Sequence, residues 1–190
     1  MSESDPKFFV ISDDLTGASG FSSIYANGAI TVDYDRLSRV PLSQFDVISV
    51  NIMTREKPLS ESVKKFENVL ESIKGNFVTF RIDSSLRNNM DIYVKILSKL
   101  GDIVVTDTIP EYDRYTEDGV TFYDNTSTDL NFYFKDVKQE IVANGGGLAI
   151  MDSRSIGDIQ KIATMCLANG IIPVDPGILI AEYIRMAKDK

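Results

Sequence analysis

Four polar clusters carry the residue types that do chemistry, and each stands directly after a short apolar run. They are Asp13-Asp14-Leu15-Thr16-Gly17-Ala18, Thr54-Arg55, Asp83-Ser84-Ser85-Leu86-Arg87 and Asp107-Thr108. Adjacent carboxylates such as Asp13 and Asp14 can accept hydrogen bonds from substrate hydroxyls, hold Mg²⁺ or act as a general base. Arg55 and Arg87 bring planar, fork-shaped donors that match a carboxylate or a phosphate. Hydroxyl-seeking acids beside carboxylate-seeking arginines suit a small polyhydroxy acid better than an apolar ligand or a bare phosphate. Each group also has a plainer use. Asp13 or Asp14 could cap a helix, Asp83 and Ser84 another, Arg87 could pair with Asp91, and Arg55 with Glu56 could be solvated surface.

Composition narrows the chemistry. The sequence holds no histidine, so a base working near neutral pH must be a carboxylate, a lysine, a tyrosine or the thiol. The usual triads and histidine metal sites are excluded, and no metal site is expected. With 20 Lys and Arg against 28 Asp and Glu the net charge is -8, and no basic patch offsets it, which argues against nucleic-acid and membrane-surface partners. Cys166 is the sole cysteine, so no intramolecular disulfide can form; its helical spacing from Ile159, Ile162 and Ala163 predicts a buried thiol in a reducing cytosol. Met1 to Lys7 is polar with no signal-peptide core, and no apolar run approaches a membrane span, so a soluble, cytoplasmic protein is expected. Its 190 residues, 43% apolar, suffice for one domain with a real core.

The elements that must position the clusters follow from periodicity. Buried-strand runs fall at residues 7 to 12, 29 to 34, 46 to 51, 77 to 82, 103 to 106, 148 to 151 and, as a further candidate, 171 to 174. Between them, Phe21, Ile24 and Tyr25 mark a short helix with its stop at Asn27-Gly28. Leu59, Val63, Phe66, Leu70 and Ile73, spaced 4, 3, 4 and 3, predict one helix face. Met90, Tyr93, Val94, Leu97 and Leu100 predict another, stopped by Gly101, and a further helix is expected from Leu130 to Val142. Ile156, Ile159, Ile162, Ala163 and Cys166 give the next, ended by Gly170, and Asp175-Pro176 opens the last with a cap and a first-turn proline. The alternation predicts an α/β fold: an open, mostly parallel sheet of about six strands with helices on both faces, plus a loop or hairpin excursion near 110–128. In such sheets ligands bind outside the carboxyl ends of the strands, where all four clusters fall.

Other motifs fit less well. An aspartyl-phosphate phosphatase would want Asp-x-Asp where the acids are adjacent here. No Gly-x-x-x-x-Gly-Lys segment is present, and Asn144-Gly145-Gly146-Gly147 precedes a strand, so the chain shows no ATP site of its own.

Taken together, Asp13-Asp14-Leu15-Thr16-Gly17-Ala18, Thr54-Arg55 and Ile82-Asp83-Ser84-Ser85-Leu86-Arg87 resemble in order and spacing the amino-terminal domain of the four-carbon acid sugar kinases. Pro110, Arg114 and Gly119 resemble a later segment of that family. The resemblance implies a sugar-acid-binding domain over residues 1–190, with substrate contacts at Asp13, Asp14, Thr16, Gly17, Arg55, Asp83, Ser84, Ser85, Leu86, Arg87 and Arg114. Asp13 or Asp14 is the implied base, and Arg55 and Arg87 hold the carboxylate. The family's ATP-binding domain is absent from the chain, and Met1 and the lysine-bearing last helix read as natural ends. Mg-ATP is therefore expected only with a partner protein, and the alternative is a non-catalytic sugar-acid-binding or regulatory module. The sequence departs from the family at Ser19, where an acid is usual, at Arg81, where a lysine is, and at Asn88 and Asp113, where glycines are.

Overall fold

The computed structural model describes residues 7–25 and 28–189. The expected stop at Asn27 lies outside them, while Gly28 takes φ 77°. Strands Phe8–Ser12 (β1), Ala29–Asp33 (β2), Val47–Asn51 (β3) and Phe77–Phe80 (β4) form a parallel sheet in the order β2-β3-β1-β4. Helix Leu15–Tyr25 (α1) joins the first two, Leu59–Ser72 (α2) joins β3 to β4, and Met90–Leu97 (α3) leads to strand Ile103–Val105 (β5). Between β2 and β3 the chain winds into two short 3₁₀ turns, Tyr34–Arg39 and Leu42–Gln44.

After β5 come three antiparallel strands, Tyr115–Glu117 (β6), Val120–Tyr123 (β7) and Thr126–Asp129 (β8), in the order β6-β7-β8. The excursion near 110–128 is thus a complete small meander. Helices Leu130–Tyr133 (α4) and Lys135–Ala143 (α5) and strand Leu148–Ile150 (β9) follow, then Ile156–Asn169 (α6), Ile172–Val174 (β10) and Ile178–Lys188 (α7). β5 lies between β10 and β9 in a second parallel sheet. The two parallel sheets meet at β4 and β10. Arg81 bridges to Asp175, Ile82 N donates to Asp175 O at 3.1 Å, and the Thr79 hydroxyl donates to Pro173 O. Seven parallel strands are present in place of about six.

β1 shows why such strands read as unbroken apolar runs. Phe9 and Ile11 enter one core, with α2, α3 and α5, while Val10 enters the other, with α1, α6 and α7. Helices therefore cover both faces. Of the expected α2 face, Phe66 and Ile73 are buried and Val63 and Leu70 pack half-buried against the same core, with Ser62 and Val69 buried beside them; only Leu59, 49% exposed, departs from it. α7 begins at Ile178, so Pro176 precedes it instead of occupying its first turn, and Asp175 caps it from outside by accepting from Leu179 N (2.7 Å) and Ile180 N (3.2 Å). Cys166 is buried as expected, and burial pushes its thiol up to about 11. Among the described residues no helix is long and apolar enough to cross a membrane.

Candidate active site

The loops after β1, β3 and β4 converge at the carboxyl edge because their parent strands are neighbours in the sheet. Asp14 is the N-cap of α1: its Oδ1 accepts from Gly17 N at 2.7 Å, and its carbonyl from Ala18 N at 3.1 Å. The capping use foreseen for this pair thus falls to Asp14, whose side chain keeps 20% exposure. Asp13 is buried at 1% and receives Arg55 bidentately, Nε to Oδ2 and Nη2 to Oδ1, both at 2.8 Å. Arg55 Nη1 donates to Asp14 Oδ2, and Nη2 lies 3.7 Å from Asp83 Oδ1.

The third cluster closes on the same center. Arg87 donates from Nε to Asp83 Oδ2 at 2.6 Å and from Nη2 to Asp83 Oδ1 at 3.1 Å; Asp83, and not Asp91, is its partner. Asn88 donates from its amide to Arg55 O, tying this loop to the one after β3. The Tyr93 hydroxyl of α3 lies 2.7 Å from Thr54 Oγ1, and the Tyr93 ring packs on Phe66 and Phe80, both with centroids at 4.9 Å. Core packing thereby fixes the turn that carries Arg55. Thr16 and Ser85 are exposed, Ser84 is half-buried, and Leu86 is buried at φ 49°.

Asn88 and Asp113 both sit in the left-handed region, at φ 61° and 52°. These are the positions where the resemblance drawn from the sequence leads one to expect glycine. Asn and Asp are the residues that best tolerate that backbone, so the turns survive the substitutions.

Arg114, just before β6, donates through Nη1 to Asp107 Oδ2 at 2.7 Å and to Ser84 O at 2.9 Å, and its guanidinium lies 4.5 Å from the Tyr123 ring center. It links the fourth cluster to the third and the meander to both. Asp107 is fully buried, and its Oδ1 has no partner among the described residues.

Charge states follow the same contacts. Burial raises Asp13 above the usual carboxylate range, only partly offset by Arg55. Burial opposes charge on Asp83 too, but Arg87 and Arg55 outweigh it and hold the group low. Asp107 is pushed up to about 6 by burial against the pull of Arg114.

Sequence reasoning did not assign Arg81 to the site. It projects from the end of the β4 run, donates from Nε to Pro176 O at 2.7 Å, and lies so close to α1 that a Cβ on Gly17 would meet its Nη1 at 2.6 Å. Burial lowers its pKa despite Asp175, Asp14, Asp83 and Asp13 nearby. The signal was present: a lone arginine in the apolar run Phe77-Val78-Thr79-Phe80-Arg81-Ile82. Among the described residues no group of three or more acids or thiols is arranged to hold a metal ion.

The chain belongs to the family of sugar-binding N-terminal domains, whose model matches residues 8–136. The resemblance to the amino-terminal domain of the four-carbon acid sugar kinases is thereby met. No match was found among curated proteins. Among solved structures the chain is similar to a Bordetella bronchiseptica domain of unknown function (DUF1537), a domain-swapped dimer with bound citrate. That match has a TM-score of 0.75 and 15% identity, covering 93% of this chain and 56% of that one. It is similar also to a Haemophilus influenzae DUF1537 protein (TM-score 0.72, 16% identity, 96% and 57% covered). A third, from Salmonella typhimurium LT2 and solved under a provisional tRNA synthase name, gives a TM-score of 0.76 and 14% identity, with 96% and 57% covered. These likenesses show the fold. The chain spans a little over half the length of each.

Proposed function

We propose that this chain is the sugar-acid-binding half of an ATP-dependent kinase acting on a four-carbon sugar acid, with Mg-ATP brought by a partner protein that carries the nucleotide site. The observation that carries it is the interlocked set of Asp13, Asp14, Arg55, Asp83 and Arg87 at one sheet edge in a chain of a sugar-binding family. A neighbor of the same fold takes citrate, itself a small hydroxy carboxylate. Asp14 is the member of the acid pair open to a substrate, and it takes the proton of the attacking hydroxyl. Asp13, held bidentately by Nε and Nη2 of Arg55, fixes that geometry. Thr16, Ser84 and Ser85 offer hydroxyls to the sugar. Phosphoryl transfer is mostly positioning and charge stabilisation, which a domain without a nucleotide site can share with a partner.

A second reading, a sugar-acid-binding or regulatory module without chemistry, is favored by Ser19. It turns back to donate to Leu15 O at 2.8 Å where the family places an acid. Thermal melting with erythronate and threonate separates the readings. Saturating sugar acid should raise the melting temperature by about 5 °C or more. Adding ATP and an ATP-binding domain of the family in trans should then yield phosphorylated acid, lost in Asp14→Asn. Binding without turnover would leave only the module, and no shift with any four-carbon acid would remove both.

A further inference from the structure

Arginines at the carboxyl edge differ in what their terminal nitrogens hold. Arg55 is occupied by Asp13 and Asp14, Arg87 by Asp83, and Arg114 by Asp107 and Ser84 O. Arg81 alone among these four uses only Nε, on Pro176 O; its Nη1 and Nη2 have no acceptor among the described residues, and no carboxylate there lies within ion-pair distance. The guanidinium reaches the start of α1 over Gly17, the one residue type that admits it. A Cβ at that position would stand 2.6 Å from Arg81 Nη1, 2.9 Å from Asp14 Oδ1 and 3.3 Å from Ser12 Cβ. The Ser12 hydroxyl is itself fully buried and without a partner among the described residues. A cationic fork with two uncommitted nitrogens, the partly exposed Asp14 carboxylate and an unpartnered hydroxyl therefore meet around Gly17.

We infer that Arg81 is the group that binds the carboxylate of the substrate, through Nη1 and Nη2, with a substrate hydroxyl on Asp14 beside it. Arg55 and Arg87 are then positioning residues that hold the acids. This rests on the reading of the edge as a sugar-acid site. Physical chemistry favors the assignment: an arginine already bidentate to its own aspartate must lose that pair to take a ligand, whereas a half-buried guanidinium with two free nitrogens gains from an arriving anion. The lowered pKa of Arg81, caused by burial, points the same way.

The test is calorimetric titration of the full chain with erythronate, threonate and the uncharged polyol erythritol. Wild type should prefer the acid. Arg81→Gln should weaken acid binding about 10- to 100-fold and leave the polyol unchanged. Arg81→Lys keeps the charge but not the fork, and should fall between the two. A circular-dichroism melt confirms folding, and Arg81→Lys carries the test if Arg81→Gln unfolds. Acid affinity unchanged in either folded variant overturns the inference while leaving the sugar-acid reading intact. Wild type that binds neither acid overturns both.

Discussion

Asp13 and Asp14 are chemically identical neighbors with different work, and burial separates them. Asp13, at 1% exposure, has both oxygens on Arg55, so neutralising it strands a guanidinium that is only 17% exposed. Breaking a buried pair from one side costs about 3 kcal/mol at the low end, which suits Arg55 because it keeps contacts to Asp14 and Asp83. Asp13→Asn is therefore expected to lower unfolding free energy by about 3 kcal/mol in urea titrations. Asp14→Asn keeps an oxygen for Gly17 N and should cost no more than about 1 kcal/mol, while abolishing turnover. Equal destabilisation by the two would contradict the division of labor. The sequence placed these acids and Arg55 at one sheet edge, where the structure joins them. It could not show that they satisfy each other, because opposite charges in adjacent loops read equally well as ligand-seeking groups. Arg81 stayed hidden for the converse reason: its run looked like any buried strand, and its unoccupied nitrogens are visible only once Gly17 is brought over them.

At the level of elements, strands were more legible than helix faces. A strand buried on both sides needs only a continuous apolar run, and β1, β3 and β4 satisfy that without reference to their neighbors. A helix face depends on the angle at which it meets the sheet, which apolar spacing alone does not fix. α2 shows the limit at its first turn: Val63, Phe66, Leu70 and Ile73 of the expected stripe pack on the core, but Leu59 stands exposed while Ser62 and Val69 turn inward beside them. Phe66 is the fully buried member of that stripe. It packs edge-on against Phe80 at 5.6 Å and tilted against Tyr93, whose hydroxyl in turn reaches Thr54. Phe66→Ala should cost about 3–5 kcal/mol, whereas Leu59→Ala should stay within about 0.5 kcal/mol, both read by denaturant midpoint. The meander from β6 to β8 was the least legible element, because short strands with polar exposed faces carry little periodicity. Its position depends on Arg114, Asp107 and Ser84, residues far apart in the chain.

The whole molecule has no histidine and a net charge of -8, so its pH response between 4 and 7 falls to carboxylates. Two of them, Asp107 and Asp175, are fully buried, and burial pushes each up to about 6. Asp175 resists through its bonds from Leu179 N and Ile180 N, and Asp107 through Arg114, without cancelling the effect. An acid whose pKa rises on folding binds its proton more tightly in the folded chain. Its contribution is complete below the unfolded value of about 3.9 and is lost as pH climbs through the folded one. Each group therefore subtracts on the order of 2–3 kcal/mol between about pH 4 and pH 6 to 7. Asp83, Asp46 and Asp158 are shifted the other way and lose their contribution only as pH falls below about 4. Stability should peak near pH 4 to 5, lower than is common for proteins, and decline toward neutrality. Urea unfolding at pH 4.5 and 7.5 measures it. Wild type should be more stable at pH 4.5, and Asp107→Asn should shrink that difference without abolishing it, since it removes one upward-shifted titration while leaving those of Asp175 and Asp13 in place. A wild type more stable at pH 7.5 would mean that both acids are comfortably charged in the fold, and that the contacts from Arg114 and the α7 amides outweigh their burial.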